Sequence, residues 1–248
     1  MIWRRWGAGP PLLMFHGAHG SWTHWIRNIA RLSQGRSLWV PDLPGFGDSA
    51  LPPNVSGDGI ATVIAAGLKA LPIQSDALEI TGFSTGAVIA AHLAAIAPSM
   101  VRRLIIVDGG GLSTPLGDLT MQSVRNLATD AATRAAHRQN LLTVMLHHPA
   151  SADSLALYIQ MRNVARGRID ARPLVLPDRL ERALARSDVP VDAIWGEHDR
   201  PHPDPMMQLE RLSRFRPAAR LRIVRNAGHW CPYENQEGFL EAFGSLGH

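Results

Sequence analysis

The pentapeptide Gly82-Phe83-Ser84-Thr85-Gly86 sets a serine between two glycines, each two positions away. At a sharp strand-to-helix turn this G-x-S-x-G pattern holds the serine backbone in a strained conformation with its hydroxyl exposed, and the glycines let strand and helix approach closely. Alone the pattern is weak, since chance supplies it in roughly one chain in eight of this length at average residue usage. Its flanks add weight: Ala77-Leu78-Glu79-Ile80-Thr81 alternates as a strand, and the stretch from Ala87 to Ala95 is strongly helical. A serine hydroxyl is a poor nucleophile near neutral pH, so a base must remove its proton. The elements that would position serine and base together therefore come next.

Short β-type runs recur at Leu12 to His16, Arg36 to Asp42, Ala77 to Phe83, Val101 to Asp108, Val189 to Gly196 and Ala219 to Val224. Between them Trp22 to Leu32, Ser56 to Leu71 and Thr85 to Ala97 read as helices, the last stopped by Pro98. This alternation predicts an α/β fold, a mostly parallel sheet with helices on both faces. Its ligand site should lie beyond the carboxyl ends of the strands. Gly109 to Ser187 breaks the rhythm with several helical segments and no persuasive strand. The chain is accordingly divided into a core of residues 1–108 and 188–248 and a helical cap of residues 109–187 over the carboxyl edge. Only Ile2 to Trp6 precedes the strand leading to His16, which raises the question of a missing first hairpin strand.

Further landmarks fall in a fixed order around the serine. They are His16-Gly17 after an apolar strand, Pro41-Asp42-Leu43-Pro44-Gly45-Phe46-Gly47-Asp48-Ser49, Trp195-Gly196-Glu197-His198-Asp199, and Gly228-His229-Trp230. With these motifs the chain resembles the α/β-hydrolase family from Leu12 to nearly its C-terminus. The resemblance implies a nucleophile, an acid and a histidine in the chain order Ser84, Asp199, His229. In those roles His229 takes the serine proton and later protonates the leaving group, while Asp199 fixes the imidazole tautomer and stabilises the imidazolium. The resemblance also implies an oxyanion hole made by the backbone N–H groups of Ala18 and Thr85. Asp108 also ends a strand, where some family members carry the acid, but the Trp-Gly-x-x-Asp setting favours Asp199. Asp42 and Asp48 are read as organising the turn between them, and His16 as structural. The run Glu197-His198-Asp199-Arg200-Pro201-His202 has the composition of a metal site. Its prolines and turn-like context argue against a metal cage, and the triad needs none. Neither metal nor cofactor is expected.

The cap bears on substrate more than on mechanism. Leu141, Leu142, Met145 and Leu146 form one apolar helical face, which either lines a pocket or packs the cap onto the sheet. In the next helix Leu155, Tyr158, Ile159 and Arg162 share a stripe, so Arg162 is expected to point with apolar neighbours and to meet an acidic substrate group, or else to extend its guanidinium into water. Expected substrate contacts are His19, Phe83, Leu142, Met145, Tyr158, Arg162 and Trp230. Caps of this size resemble those of carboxylesterases and of meta-cleavage-product hydrolases, which cut carbon–carbon bonds in dienol keto-acids. Gly228-His229-Trp230 and Ile159-Gln160-Met161-Arg162 favour the second group. Phe83 in place of that group's asparagine, and Ala18-His19-Gly20-Ser21 in place of a longer glycine-rich turn, favour the first. Hydrolysis of a small, largely apolar ester through an acyl-enzyme therefore ranks first and carbon–carbon hydrolysis second. A catalytically silent binding protein ranks third, because all three triad residues are present.

Composition sets the outer bounds. With 46% hydrophobic and 19% charged residues, the 248-residue chain is neither disordered nor fibrous. The formal charge is +4, but the basic residues are scattered among acids and alanines without the stripe that tracks a phosphate backbone, so a small-molecule substrate is expected and nucleic acid is not. No apolar run approaches the roughly 20 residues that span a bilayer, and no signal-peptide core follows the basic start. The single cysteine, Cys231, fits a reducing compartment. A cytoplasmic protein without membrane contact, monomeric or homodimeric, is the resulting expectation.

Overall fold

The structure of the protein, a computed structural model, describes residues 1–73 and 78–247. Seven strands form a single sheet: β1 (Ile2–Trp6), β2 (Pro11–Phe15), β3 (Ser37–Asp42), β4 (Leu78–Phe83), β5 (Val101–Val107), β6 (Val191–Gly196) and β7 (Leu221–Val224). Their order across the sheet is β1-β3-β2-β4-β5-β6-β7. All neighbours are parallel except β1, which runs antiparallel to β3 along one edge. The sequence reading assigned no strand to Ile2–Trp6. Its two arginines disguise an edge strand: Arg4 reaches Asp42 and Asp48, and Arg5 reaches Ser37. Ala77, placed at the start of a strand by the sequence, lies outside the described residues.

Side chains alternate across the strands and so feed two separate cores. Leu13 and Phe15 of β2 join Ile80, Leu104, Ile106 and Trp195 on one face, whereas Leu12 and Met14 join Phe83, Ile105, Val107 and Ile194 on the other. Burial on both faces explains why β3, β4 and β6 are buried along their whole length.

Among the described residues ten α-helices surround the sheet: α1 (Ile26–Leu32), α2 (Gly57–Lys69), α3 (Thr85–Ile96), α4 (Asp130–Asn140), α5 (Ser154–Arg166), α6 (Arg172–Val175), α7 (Arg179–Leu184), α8 (Pro205–Ser213), α9 (Cys231–Glu234) and α10 (Gln236–Ser245). Helix α3 is apolar nearly all round and is buried at Ala87, Val88, Ile89, Ala90, Ala91, Leu93 and Ala94, as a helix central to the core should be. Helices α4 to α7 fall in the insertion between β5 and β6. A π-helical turn, Leu141–Met145, follows α4 and places the Leu141 and Leu146 side chains in the same core as Phe83 and Trp230. Leu180, Ala183 and Leu184 of α7 bury against the other core.

Candidate active site

Strands β2, β4, β5, β6 and β7 all end at one edge of the sheet, and the residues that follow them are His16, Ser84, Asp108, Asp199 and His229. Ser84 sits between β4 and α3 with φ +52° and ψ −120°, a left-handed backbone that a non-glycine residue seldom adopts. The turn is enforced by close packing. A Cβ on Gly82 would lie 2.5 Å from the carbonyl oxygen of Gly86, and one on Gly86 would lie 2.5 Å from that of Phe15. The Ser84 N–H donates to the Val107 carbonyl at 2.8 Å, fixing the turn to β5.

From this turn the Ser84 hydroxyl reaches His229 Nε2 at 3.1 Å. On the far side of the ring, Nδ1 lies 3.1 Å from each carboxylate oxygen of Asp199. A proton on Nδ1 serves the carboxylate and leaves Nε2 free to accept from the hydroxyl. Asp199 is buried, which acts to raise its pKa. The neighbouring His229 and His202 rings overcome that effect and hold the carboxyl well below the ordinary range, so it stays ionised. The His202 N–H adds a hydrogen bond to Asp199 Oδ1 at 3.1 Å.

Asp108, the alternative acid, lies near Asp199, but the hydrogen bonds it accepts come from elsewhere than His229. Its Oδ1 accepts from the Gly196 N–H at 2.7 Å, and its Oδ2 accepts from the Cys231 thiol at 3.0 Å. Burial and the nearby Asp199 charge raise its pKa well above the carboxylate range. The same surroundings, burial first and then Asp108, push the Cys231 thiol up.

His16 shapes the loop that faces the serine. Its Nε2 accepts from the Leu43 N–H at 2.8 Å, so Nδ1 must carry the proton that bonds the Gly17 carbonyl at 2.8 Å. Burial lowers the His16 pKa to about 4, keeping the ring neutral. Because C=O and N–H point in opposite directions across a trans peptide, pinning the Gly17 carbonyl also aims the Ala18 N–H. Gly17 packs close to Ser84, since a Cβ there would meet that of the serine at 3.1 Å. The second expected donor, the Thr85 N–H, opens α3 and so has no acceptor within the helix.

The other expected contacts fall in different places. Phe83 is buried with its ring 5.1 Å from that of His229 and 5.4 Å from that of His24, and it therefore supports the histidine from below. Trp230 is buried too: its indole N–H donates to the His24 carbonyl at 2.8 Å, and its ring stacks on Tyr233 at 4.1 Å. Leu142 and Met145 are half-buried against the core beneath the cap. His19 is exposed at φ +44° beside the ring of Phe46. The stripe proposed for α5 is corrected by the structure. Tyr158 is 59% exposed, and Leu155 and Arg162 are also exposed, while Ala156, Ile159 and Asn163 form the inward face. The helix is phased by Asp153, whose side chain caps it by accepting from the Ala156 N–H at 2.8 Å.

Three supporting residues were not among the expected site residues. The Glu234 carboxylate accepts from the backbone N–H groups of Gly228 at 2.6 Å, His147 at 2.9 Å and His148 at 2.8 Å, tying the residue before His229 to the insertion between β5 and β6. Asn163 accepts from the Ser21 hydroxyl at 2.8 Å and donates to that of Thr23 at 3.1 Å, bracing the loop after Ala18. His24 accepts the Gly17 N–H through Nδ1 at 3.3 Å. Glu234 offered no spacing signal. Asn163 was legible only as a polar residue in phase with Ala156 and Ile159.

Comparison with known proteins identifies the family. The profile of the "Alpha/beta hydrolase family" matches residues 12–242. The chain is 27% identical over 253 residues to the 2-hydroxy-6-oxo-2,4-heptadienoate hydrolase of Pseudomonas putida, covering 94% of this chain and 87% of that protein. It is 25% identical over 231 residues to lipase 1 of Psychrobacter immobilis, covering 90% and 72% respectively. The crystal structure of an esterase from Rhodococcus sp. ECU1013 superposes with a TM-score of 0.79 over 98% of this chain and 93% of that one, at 18% identity, a likeness of fold.

Proposed function

The chain belongs to the alpha/beta hydrolase family, and from that premise we propose that it hydrolyses a small, largely apolar ester through an acyl-enzyme on Ser84. The observation that carries the reading is the continuous series of 3.1 Å contacts from Ser84 through His229 to Asp199. In the first half-reaction the Ser84 oxygen attacks the acyl carbon as His229 Nε2 takes its proton, and the carbonyl oxygen becomes an oxyanion held by the Ala18 and Thr85 N–H groups. His229 then returns the proton to the departing alcohol. Water enters, gives a proton to the same nitrogen and attacks the acyl carbon; the bond to Ser84 Oγ then breaks, His229 returns that proton to the serine oxygen, and the acid leaves. Asp199 remains ionised throughout and stabilises the imidazolium. No step calls on a metal or cofactor.

Carbon–carbon hydrolysis is the second reading, supported by the Pseudomonas putida relative. Its main support within the sequence was an inward Arg162 to bind a substrate carboxylate, and that residue is exposed. The ester reading therefore stands first. A panel of p-nitrophenyl esters of graded chain length, assayed beside a dienol keto-acid, separates the two. The proposal expects the highest kcat/KM on a short or medium ester. Preferential turnover of the keto-acid would reverse the ranking.

A further inference from the structure

His202 lies beside the triad with no part in the proposed reaction. It is 4% exposed, and among the described residues neither ring nitrogen makes a hydrogen bond of normal geometry, Asp199 being the neighbour of Nδ1. A buried polar atom left unpaired costs about 1–3 kcal/mol, so such a ring calls for an explanation. Its Nδ1 lies 3.5 Å from Asp199 Oδ2, and the same oxygen is 3.1 Å from His229 Nδ1. One donor atom from each of the three side chains falls within 4.8 Å of the others.

We propose that Asp199, His202 and His229 form an inhibitory site for a borderline-soft divalent cation, Zn²⁺ in preference to Mg²⁺ or Ca²⁺. Two imidazoles and one carboxylate are the donor set that zinc takes, whereas the harder cations require six or more oxygens. Tetrahedral zinc with bonds of about 2.0–2.2 Å separates neighbouring donors by about 3.3 Å, close to the two N···O spacings observed. A solvent molecule would complete the coordination. A cavity of about 270 Å³ lined by His147, Glu197, His198, Asp199, Arg200 and Pro203 opens beside the buried Asp199. The prolines of residues 201–205 oppose a cage built within that run alone. The folded chain escapes the objection by drawing its third donor from the loop after β7.

The inhibition follows from the tautomers of imidazole and rests on the reading of His229 as the base. A neutral imidazole carries one proton. With the metal on Nδ1 that proton moves to Nε2, which then donates toward Ser84 Oγ and can no longer accept from it. No redox step is involved, and a chelator that withdraws the metal restores the original tautomer.

The test titrates the metal-free protein with Co²⁺ and reads the visible ligand-field bands, with Zn²⁺ as competitor and ester hydrolysis followed in parallel. Expected are one Co²⁺ per chain with four-coordinate intensity, displacement by Zn²⁺, loss of esterase activity in proportion to occupancy, and recovery with EDTA. His202→Gln should weaken Co²⁺ binding by about 100-fold. The surface double variant His147→Ala/His198→Ala should retain it, and this control and the wild-type spectrum remain decisive if His202→Gln fails to fold. Absence of stoichiometric binding, a pale six-coordinate spectrum, or loss of binding in the surface variant would overturn the proposal. A four-coordinate spectrum on a protein that hydrolyses none of the esters upholds the metal site and overturns the ester reading, on which the predicted loss of esterase activity rests.

Discussion

The loop bearing His229 and the cap helix α5 both border the candidate site, but they are held in different ways. Around His229 the backbone is tied on every side: the Gly228 N–H to Glu234, the Trp230 N–H to the Met145 carbonyl at 2.7 Å, and the Trp230 indole to the His24 carbonyl. Helix α5 is anchored along one face by Ala156, Ile159 and Asn163, and its opposite face of Leu155, Tyr158 and Arg162 is open to solvent. Preorganisation is concentrated where the proposed mechanism moves a proton, and the outer surface of α5 is left with little to hold. The contrast sorts substitutions by their expected cost.

The largest effects are expected at the proposed triad. Ser84→Ala and His229→Gln should each lower kcat by at least about 10⁴-fold, and the double variant should be no worse than either single one, because the two residues act as a unit. Asp199→Asn should lose a comparable factor through the wrong imidazole tautomer. Asp108→Asn should be far milder, since Asp108 bonds Gly196 and Cys231 instead of the histidine. Near-full activity of Asp199→Asn with a dead Asp108→Asn, measured by steady-state kinetics, would reassign the acid.

Next comes Glu234, which tests whether the tethering matters. Glu234→Gln replaces one carboxylate oxygen with an amide that cannot accept, leaving too few acceptors for three N–H groups. Displacement of the histidine should lower kcat by about 10- to 100-fold with little change in KM. A fall in Tm with unchanged kcat would mean that the clamp serves stability alone.

His16 gives a smaller effect, read in stability against pH. Its folded pKa of about 4 lies below the ordinary 6.5, so the folded protein binds fewer protons than the unfolded chain between those values. The contribution is complete above pH 6.5, declines as pH falls toward 4 and levels off below it, and amounts to a total on the order of 3 kcal/mol. His16→Asn should therefore flatten the fall of Tm across that window relative to wild type. An unchanged slope would show that the ring is not held neutral.

The smallest effect is expected at Arg162. Arg162→Met should leave kcat/KM within about threefold on neutral and acidic esters alike, as exposed substitutions generally do. A selective loss on acidic substrates would return Arg162 to the site and revive the carbon–carbon reading.

The same contrast explains what could be read from the residues. Ser84 was singled out by its elbow motif and the strand and helix that flank it, and Asp199 and His229 by the family resemblance alone; the structure brings the three together because each lies beyond the carboxyl end of a parallel strand. The face of α5 was misjudged because its inward residues include a small alanine and a polar asparagine, while Leu155 and Tyr158 supplied a more apolar but outward stripe. Phe83 was expected to meet substrate from its place beside the serine, yet side chains alternate along a strand, and its own points into the core under His229. Contacts such as those of Glu234 run from side chain to distant backbone, and no spacing within the chain announces them.

The central claim, that Ser84 is the nucleophile, is tested most directly by a serine-directed organophosphonate followed by peptide mass mapping. One adduct per chain on Ser84, with esterase activity lost in step and no adduct on His229→Gln over the same time, is the predicted result. Labelling at another residue as activity disappears, or a labelled Ser84 in a fully active protein, would contradict it.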